Sequence, residues 1–393
     1  MLSALTAREL FSPTQAVQNP LVLIEDGVIT EVTSQSAKEV PGNARAVDFD
    51  DAVLVPGFMD IHIHGGGGYD VMDQSSAALP AVETFLTRHG VTSYFPTTVT
   101  APLETILAAL DRLGSEIEAA RTDGGQSDAL RAHPLGIHLE GPFISHARRG
   151  VHPADCLLPP KLSTFERMWE ASHGQIKIMT VAPELPGATE LIAEAARRGI
   201  CVSLGHSDAQ LDAAFSGIVA GARHATHTFN AMRPLGHRDP GILGIALADP
   251  RLSADIIADG IHVDPLVVDI FLRAKGPDRA VLITDGMAAT GMPDGKYRLG
   301  AMDIEVSHGY CTSGGTIAGS VLTLDRAVRN VMQFANWSLQ SAVQLATWNP
   351  ARVVREHDRR GMLAAGKIAD IVALSPAGDV RGTILNGRLL ASS

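Results

Sequence analysis

His62 and His64 stand two residues apart, a few residues after the apolar run AVLVPGF and directly before four consecutive glycines at 65–68. Residues two apart on a strand project from one face, so both imidazoles would leave a strand together at its C-terminal end. Two imidazoles so placed are half of a metal site; they are equally the polar face of a half-buried strand. The same residue types recur where other apolar runs stop. Glu140 closes GIHLE, His206 follows CVSLG, His227 lies in HATHTFN, His262 in IADGIH and Asp285 in LITDG. Taken singly, such a residue more often caps a turn or pairs locally: Glu140 with Arg148 or Arg149, Asp285 at the turn before Gly286. Taken together, several imidazoles and two carboxylates in one place are costly to desolvate unless a cation organises them. The mixed nitrogen and oxygen set suits Zn²⁺ or Fe²⁺, with Co²⁺ and Mn²⁺ also compatible, better than the all-oxygen shells of Mg²⁺ or Ca²⁺.

These residues need elements to position them. Strand-like runs fall at 58–63, 93–97, 135–139, 176–181, 201–204, 225–228, 254–258 and 281–284, and helical stretches at 77–89, 103–120, 188–198, 209–220 and 265–275 separate many of them. Strands alternating with helices imply a parallel sheet. Eight of them over this length predict a (β/α)8 TIM-like barrel, whose chemistry sits at the C-terminal strand ends. A doubly wound open sheet would need a phosphate turn spaced as G-x-G-x-x-G, which the run at 65–68 lacks. Both chain ends read differently. The runs 21–24 and 28–32 flank Glu25-Asp26-Gly27, and 381–388 carries the type I′ turn pair Asn386-Gly387. The expected organisation is a small β-sandwich domain from 1–55 and 357–393, and a catalytic barrel over 56–356.

Composition narrows the partners. The chain has 393 residues, 45% of them hydrophobic, and a formal charge of −11, so neither nucleic acid nor an anionic membrane is expected to bind it. No apolar run reaches the ~20 residues of a membrane span, and the opening MLSALTAREL lacks the basic start and apolar stretch of a secretory signal. Three scattered cysteines fit a reducing cytoplasm. No G-x-S-x-G elbow is present, and the near-P-loop GMLAAGKI has Ile368 where a metal-binding hydroxyl belongs. His138 shares the Glu140 face and is expected to support ligands or fill the core, whereas His224 and His237 stay open.

The motifs PGFMDIHIHG (56–65), HLEGPF (138–143), GVHPA (150–154), GHSDA (205–209), HTFNAM (227–232), IADGIHVD (257–264), TDG (284–286) and GGTIAGS (314–320) make the chain resemble the amidohydrolase superfamily. Within it, the chain resembles the N-acetylglucosamine-6-phosphate deacetylases over essentially its whole length. That resemblance implies a cytoplasmic, homodimeric enzyme releasing acetate from a phosphorylated amino sugar, with one or two divalent metal ions per subunit. It implies Glu140, His206 and His227 as ligands of a principal ion, with His62 and His64 holding a second through Glu140. Asp285 would touch the metal and act as general base and acid, and His262 would polarise the amide carbonyl. His152, Asn230, Ala231, Ile317, Ala318 and Gly319 would line the sugar pocket, and Arg238 would meet the 6-phosphate, conceivably across a subunit interface. Two rivals remain: an amidohydrolase acting on a cyclic amide or aminated base, and a non-catalytic assembly protein on the same fold.

Overall fold

The structure, a computed structural model, describes residues 2–122 and 130–390. Its centre is eight parallel strands: β1 (Phe58–Ile63), β2 (Val91–Thr98), β3 (Ile137–Glu140), β4 (Ile176–Val181), β5 (Cys201–Leu204), β6 (His224–Ala225), β7 (Ser253–Ile257) and β8 (Ala280–Ile283). Each pairs with the next in parallel register. The segment after β8 returns to the segment after β1. The Asp285 amide donates to the His62 carbonyl at 2.9 Å, and the His64 and Gly65 amides both donate to the Gly286 carbonyl, at 2.8 and 3.0 Å. The bonds that bring the barrel round to its first strand therefore also set Asp285 beside His62 and His64.

The strands are predominantly apolar because both faces are covered, inward by barrel side chains and outward by helices. All six residues of β1 and all eight of β2 are buried. The outer layer is α1 (Ala78–Arg88), α2 (Leu103–Thr122), α3 (Leu162–Ala171), α4 (Ala188–Arg197), α5 (Leu211–Ala220), α6 (Gly241–Ala248), α7 (Pro265–Lys275) and α8 (Leu324–Ala335). Helix α7 starts where the sequence says: Asp264 accepts from the Leu266 amide at 2.8 Å and Pro265 takes the first turn.

The expected barrel is present, with local differences. The sixth strand ends at Ala225 rather than 228, because the chain turns into positive φ at His227 (30°) and leaves the ladder. Helices α3, α6 and α8 lie outside the predicted stretches; α6, GILGIALA, is apolar all round, so periodicity cannot separate it from a buried strand. Between β8 and α8 runs an unpredicted antiparallel excursion of four strands, Gly295–Leu299, Met302–Ser307, Tyr310–Ser313 and Thr316–Ile317.

Two further sheets are built from the chain ends. One orders Val28–Ser34, Pro20–Glu25, Leu2–Thr6 and Arg45–Asp48; the other orders Arg388–Leu389, Val380–Leu385, Ile371–Leu374, Val53–Pro56, Glu9–Ser12 and Gln15–Gln18. Leu5, Val22 and Ile24 of the first share a buried cluster with Leu10, Leu54, Ile371 and Ile384 of the second. Val53–Pro56 joins this layer to the barrel by alternation: Leu54 belongs to that cluster, Val53 and Val55 to the barrel core. The turn Asn386-Gly387 has positive φ at both residues, 48° and 75°, as a type I′ turn requires.

Candidate metal centre and active site

Six of the predicted residues converge at the C-terminal mouth of the barrel. Glu140, at the end of β3, is the hub. Its Oε1 lies 3.0 Å from His227 Nε2, 3.3 Å from His206 Nε2 and 3.4 Å from His62 Nε2; its Oε2 lies 3.4 Å from His64 Nε2. Asp285 Oδ1 stands 3.0 Å from His64 Nε2 and 3.6 Å from His62 Nε2. His152 is a fifth imidazole on the same carboxylate, 3.6 Å from Oε2. The donor atoms form two groups, His62–His64–Asp285 and Glu140–His152–His206. His152, expected in the sugar pocket, thus stands within reach of the metal-ligand set as well.

Sterics make these positions special. His206, His227 and Asp285 all sit in the left-handed region, at φ 46°, 30° and 49°. Non-glycine residues there carry strain of order ~1–3 kcal/mol each, which surrounding contacts must hold. The contacts are on the far side of the rings. His64 Nδ1 donates to the Thr97 carbonyl at 2.9 Å, His206 Nδ1 to the Arg148 carbonyl at 2.9 Å and His227 Nδ1 to the Asn230 carbonyl at 3.2 Å. A carbonyl only accepts, so the proton is fixed on Nδ1 and Nε2 presents its lone pair to the centre. His62 Nδ1 meets the Thr226 hydroxyl at 2.9 Å, whereas His152 Nδ1 accepts from the Thr100 amide at 3.2 Å and meets its hydroxyl at 2.7 Å, so the His152 proton lies on Nε2. The Asp255 carboxylate takes the His227 amide and the His224 ring at 2.8 Å. His138 stays behind the site, bonded to the Ile61 carbonyl and the Thr180 hydroxyl at 2.9 and 2.8 Å.

The protein alone balances this cluster with protons. Burial would raise the Glu140 carboxyl, but the His62 charge and bonds from His152, His206 and His227 hold it well below the usual range. Burial likewise opposes charge on Asp285, yet His64 and His62 bring it down to about 2. Burial would lower His64 and His227; the carboxylates Asp285 and Glu140 lift His64 well above the usual imidazole value, and Glu140 lifts His227 to about 9. Burial keeps His206 down near 4, a neutral ring ready to coordinate. Lone pairs of preset rings around shared carboxylates fit a borderline divalent cation, which would take the place of those protons.

A cavity of about 300 Å³ opens onto the cluster, lined by His64, Glu140, His152, His206, His227 and Asp285 and by the other expected pocket residues Asn230, Ala231, His262, Ile317, Ala318 and Gly319. The four-stranded excursion supplies Leu299, Thr316 and Ile317, a wall the sequence reading carries only through its GGTIAGS motif. Arg238 stands apart, exposed on the loop after Met232 and absent from the lining of that cavity. The residues that sequence reasoning misses are those behind the rings: Thr97, Thr100, Thr226, Asp255 and Asp259. Short side chains and backbone carbonyls carry no spacing signal, and only the fold brings them behind the histidines.

The Amidohydrolase family matches residues 53–390, and the chain belongs to this family. It is 38% identical over 381 residues to the N-acetylglucosamine-6-phosphate deacetylase of Bacillus subtilis (strain 168), covering 97% of this chain and 95% of that one. An N-acetylgalactosamine-6-phosphate deacetylase of Escherichia coli O157:H7 is 34% identical, covering 99% of each chain. The solved structure of a Mycobacterium smegmatis N-acetyl-D-glucosamine-6-phosphate deacetylase variant, in complex with N-acetyl-D-glucosamine 6-phosphate, superposes with a TM-score of 0.90 at 34% identity over 100% of both chains.

Because His64 and His227 hold protons that an incoming cation must displace, metal affinity should rise with pH. Titrating metal-stripped protein with Zn²⁺ between pH 6 and 8 should show tighter binding at the higher pH, with protons released to buffer. Affinity independent of pH would contradict the charge balance described above.

Proposed function

We propose that the chain hydrolyses the N-acetyl group of N-acetyl-D-glucosamine 6-phosphate to D-glucosamine 6-phosphate and acetate, in amino-sugar catabolism or cell-wall recycling. One observation carries this reading: preset imidazoles, Glu140 and Asp285 converge on one cavity, in a chain similar along nearly its full length to deacetylases of such sugars. The rival substrates, a cyclic amide or aminated base, gain nothing from those relatives, and intact catalytic groups leave no reason to prefer a non-catalytic role. The galactosamine-type relative does support a second reading at the same site, in which the epimeric sugar phosphate is also accepted.

Glu140, His206 and His227 would hold the principal divalent ion, Zn²⁺ or Fe²⁺ first and Co²⁺ or Mn²⁺ next, with His62 and His64 available for a second. A cation bound there supplies Lewis acidity and makes water acidic enough to attack near neutral pH. Asp285, ionised and 3.0 Å from His64, takes the proton of the attacking water. As the carbon–nitrogen bond breaks, the same carboxyl returns that proton to the nitrogen, so acetate and the amine leave as stable species. His262 donates to the carbonyl oxygen as charge develops on it. Arg238, on its exposed loop, would bind the 6-phosphate, from the same subunit or across a homodimer contact. A cytoplasmic location is supported by three free cysteines, and no helix among the described residues is long and apolar enough to cross a membrane.

Acetate release from N-acetylated sugar phosphates tests the reaction directly. Asp285→Asn should lower kcat by about 10²–10⁴-fold while bound metal stays near the wild-type amount; near-full activity would remove Asp285 as the base. Arg238→Ala should raise KM for the phosphorylated sugar and leave the unphosphorylated one unaffected. Equal losses on both sugars would refute the phosphate contact.

A further inference from the structure

Five histidines line the cavity, and their Nδ1 partners are not alike. His64, His206 and His227 donate to the carbonyls of Thr97, Arg148 and Asn230, and His152 meets the Thr100 hydroxyl. The three carbonyls place the proton on Nδ1, which suits a ring offering its Nε2 lone pair to a cation, whereas His152 Nδ1 also accepts from the Thr100 amide at 3.2 Å. Among these five, His262 alone turns its Nδ1 to a carboxylate, 2.7 Å from Asp259 Oδ2. The other oxygen, Oδ1, accepts from the backbone amides of Ile261 and His262, both at 2.8 Å. Two backbone amides on Oδ1 and the ring nitrogen on Oδ2 engage the whole carboxylate and hold it in one orientation. Both side chains are nearly enclosed, at 7% and 8% exposure.

The local backbone is folded around this contact. β7 ends at Ile257, and Asn330 of α8 donates to the Ala258 carbonyl at 2.8 Å. Gly260 then turns at φ 76°, and the chain loops back over the Asp259 carboxylate. The turn lays the His262 ring against that carboxylate and leaves Nε2 as the nitrogen free to face the cavity.

We propose that Asp259 is a positioning residue that makes His262 a charged hydrogen-bond donor to the amide carbonyl, in contrast to the lone-pair role of His64, His206 and His227. A ring that donates from Nδ1 to Asp259 and from Nε2 to substrate carries both protons. Asp259 is the counter-charge such a ring needs beside it, and its grip on two backbone amides fixes the ring plane. The inference rests on the deacetylation reading above and adds to it the reason why His262, among five histidines, works as the electrophile.

The test compares wild type, Asp259→Asn, His262→Gln and the double variant on N-acetyl and N-trifluoroacetyl D-glucosamine 6-phosphate. The trifluoroacetyl carbonyl is already electron-poor and needs less polarisation. Asp259→Asn should lower kcat on the acetyl substrate by about 10–100-fold with little change in KM, and by clearly less on the trifluoroacetyl substrate. On the His262→Gln background the Asp259 change should add almost nothing. Equal losses on both substrates, additive losses in the double variant, or a single variant within about twofold of wild type would overturn the proposal, since general damage or no role at all gives those patterns. Wild-type protein that releases no acid from either substrate would instead sink the deacetylation reading, and this inference with it.

Discussion

One buried carboxylate organises the mouth of this barrel. Glu140 has five imidazole nitrogens between 3.0 and 3.6 Å from its two oxygens, one from β1 itself and the others from residues after β1, β3, β5 and β6. An anion so enclosed is tolerable only when positive charge faces it. Protons on His64 and His227 supply that charge in the protein alone; a divalent cation would supply more of it from a single point. Asp285 adds a second carboxylate, so the mouth carries a standing demand for cationic charge that the surrounding apolar core cannot meet.

The rest of the architecture keeps that arrangement from relaxing. His206, His227 and Asp285 accept left-handed backbone, and each imidazole is pinned from behind by a carbonyl or hydroxyl. Asp60, beneath the site, receives the Thr284 hydroxyl at 2.6 Å, tying the end of β1 to the end of β8. Burial pushes the Asp60 carboxyl up to about 7. The same contacts that bring the barrel's last strand back to its first therefore hold the site's geometry, which is why strand ends can carry strain that loops would release.

Much of this is legible in the sequence because parallel strands are covered on both faces and so appear as largely apolar runs with ionisable residues recurring where they stop. Those stops mark Glu140, His206, His227 and Asp285, and period two pairs His62 with His64. What does not show is the layer behind the rings. Thr97, Thr100, Thr226 and the carbonyls of Arg148 and Asn230 have ordinary local contexts, and Asp259 looks like any turn aspartate. The four-stranded excursion after β8 carries one legible strand, Met302–Ser307, whose alternation puts Ile304 and Val306 into the barrel core, while its partner strands are short and lack that pattern. Arg238 shows the opposite limit: a motif neighbour whose exposed place in one subunit leaves its phosphate role to experiment.

The central claim is that Glu140 anchors a divalent cation with His206 and His227. Anomalous diffraction at the metal absorption edge, on crystals of the metal-loaded protein, tests it most directly. The account predicts its strongest peak between Glu140 and the Nε2 atoms of His206 and His227, at ligand distances of about 2.0–2.2 Å, with any second peak beside His62 and His64. A cation bound elsewhere, or a saturated protein with no peak at that cluster, would contradict it.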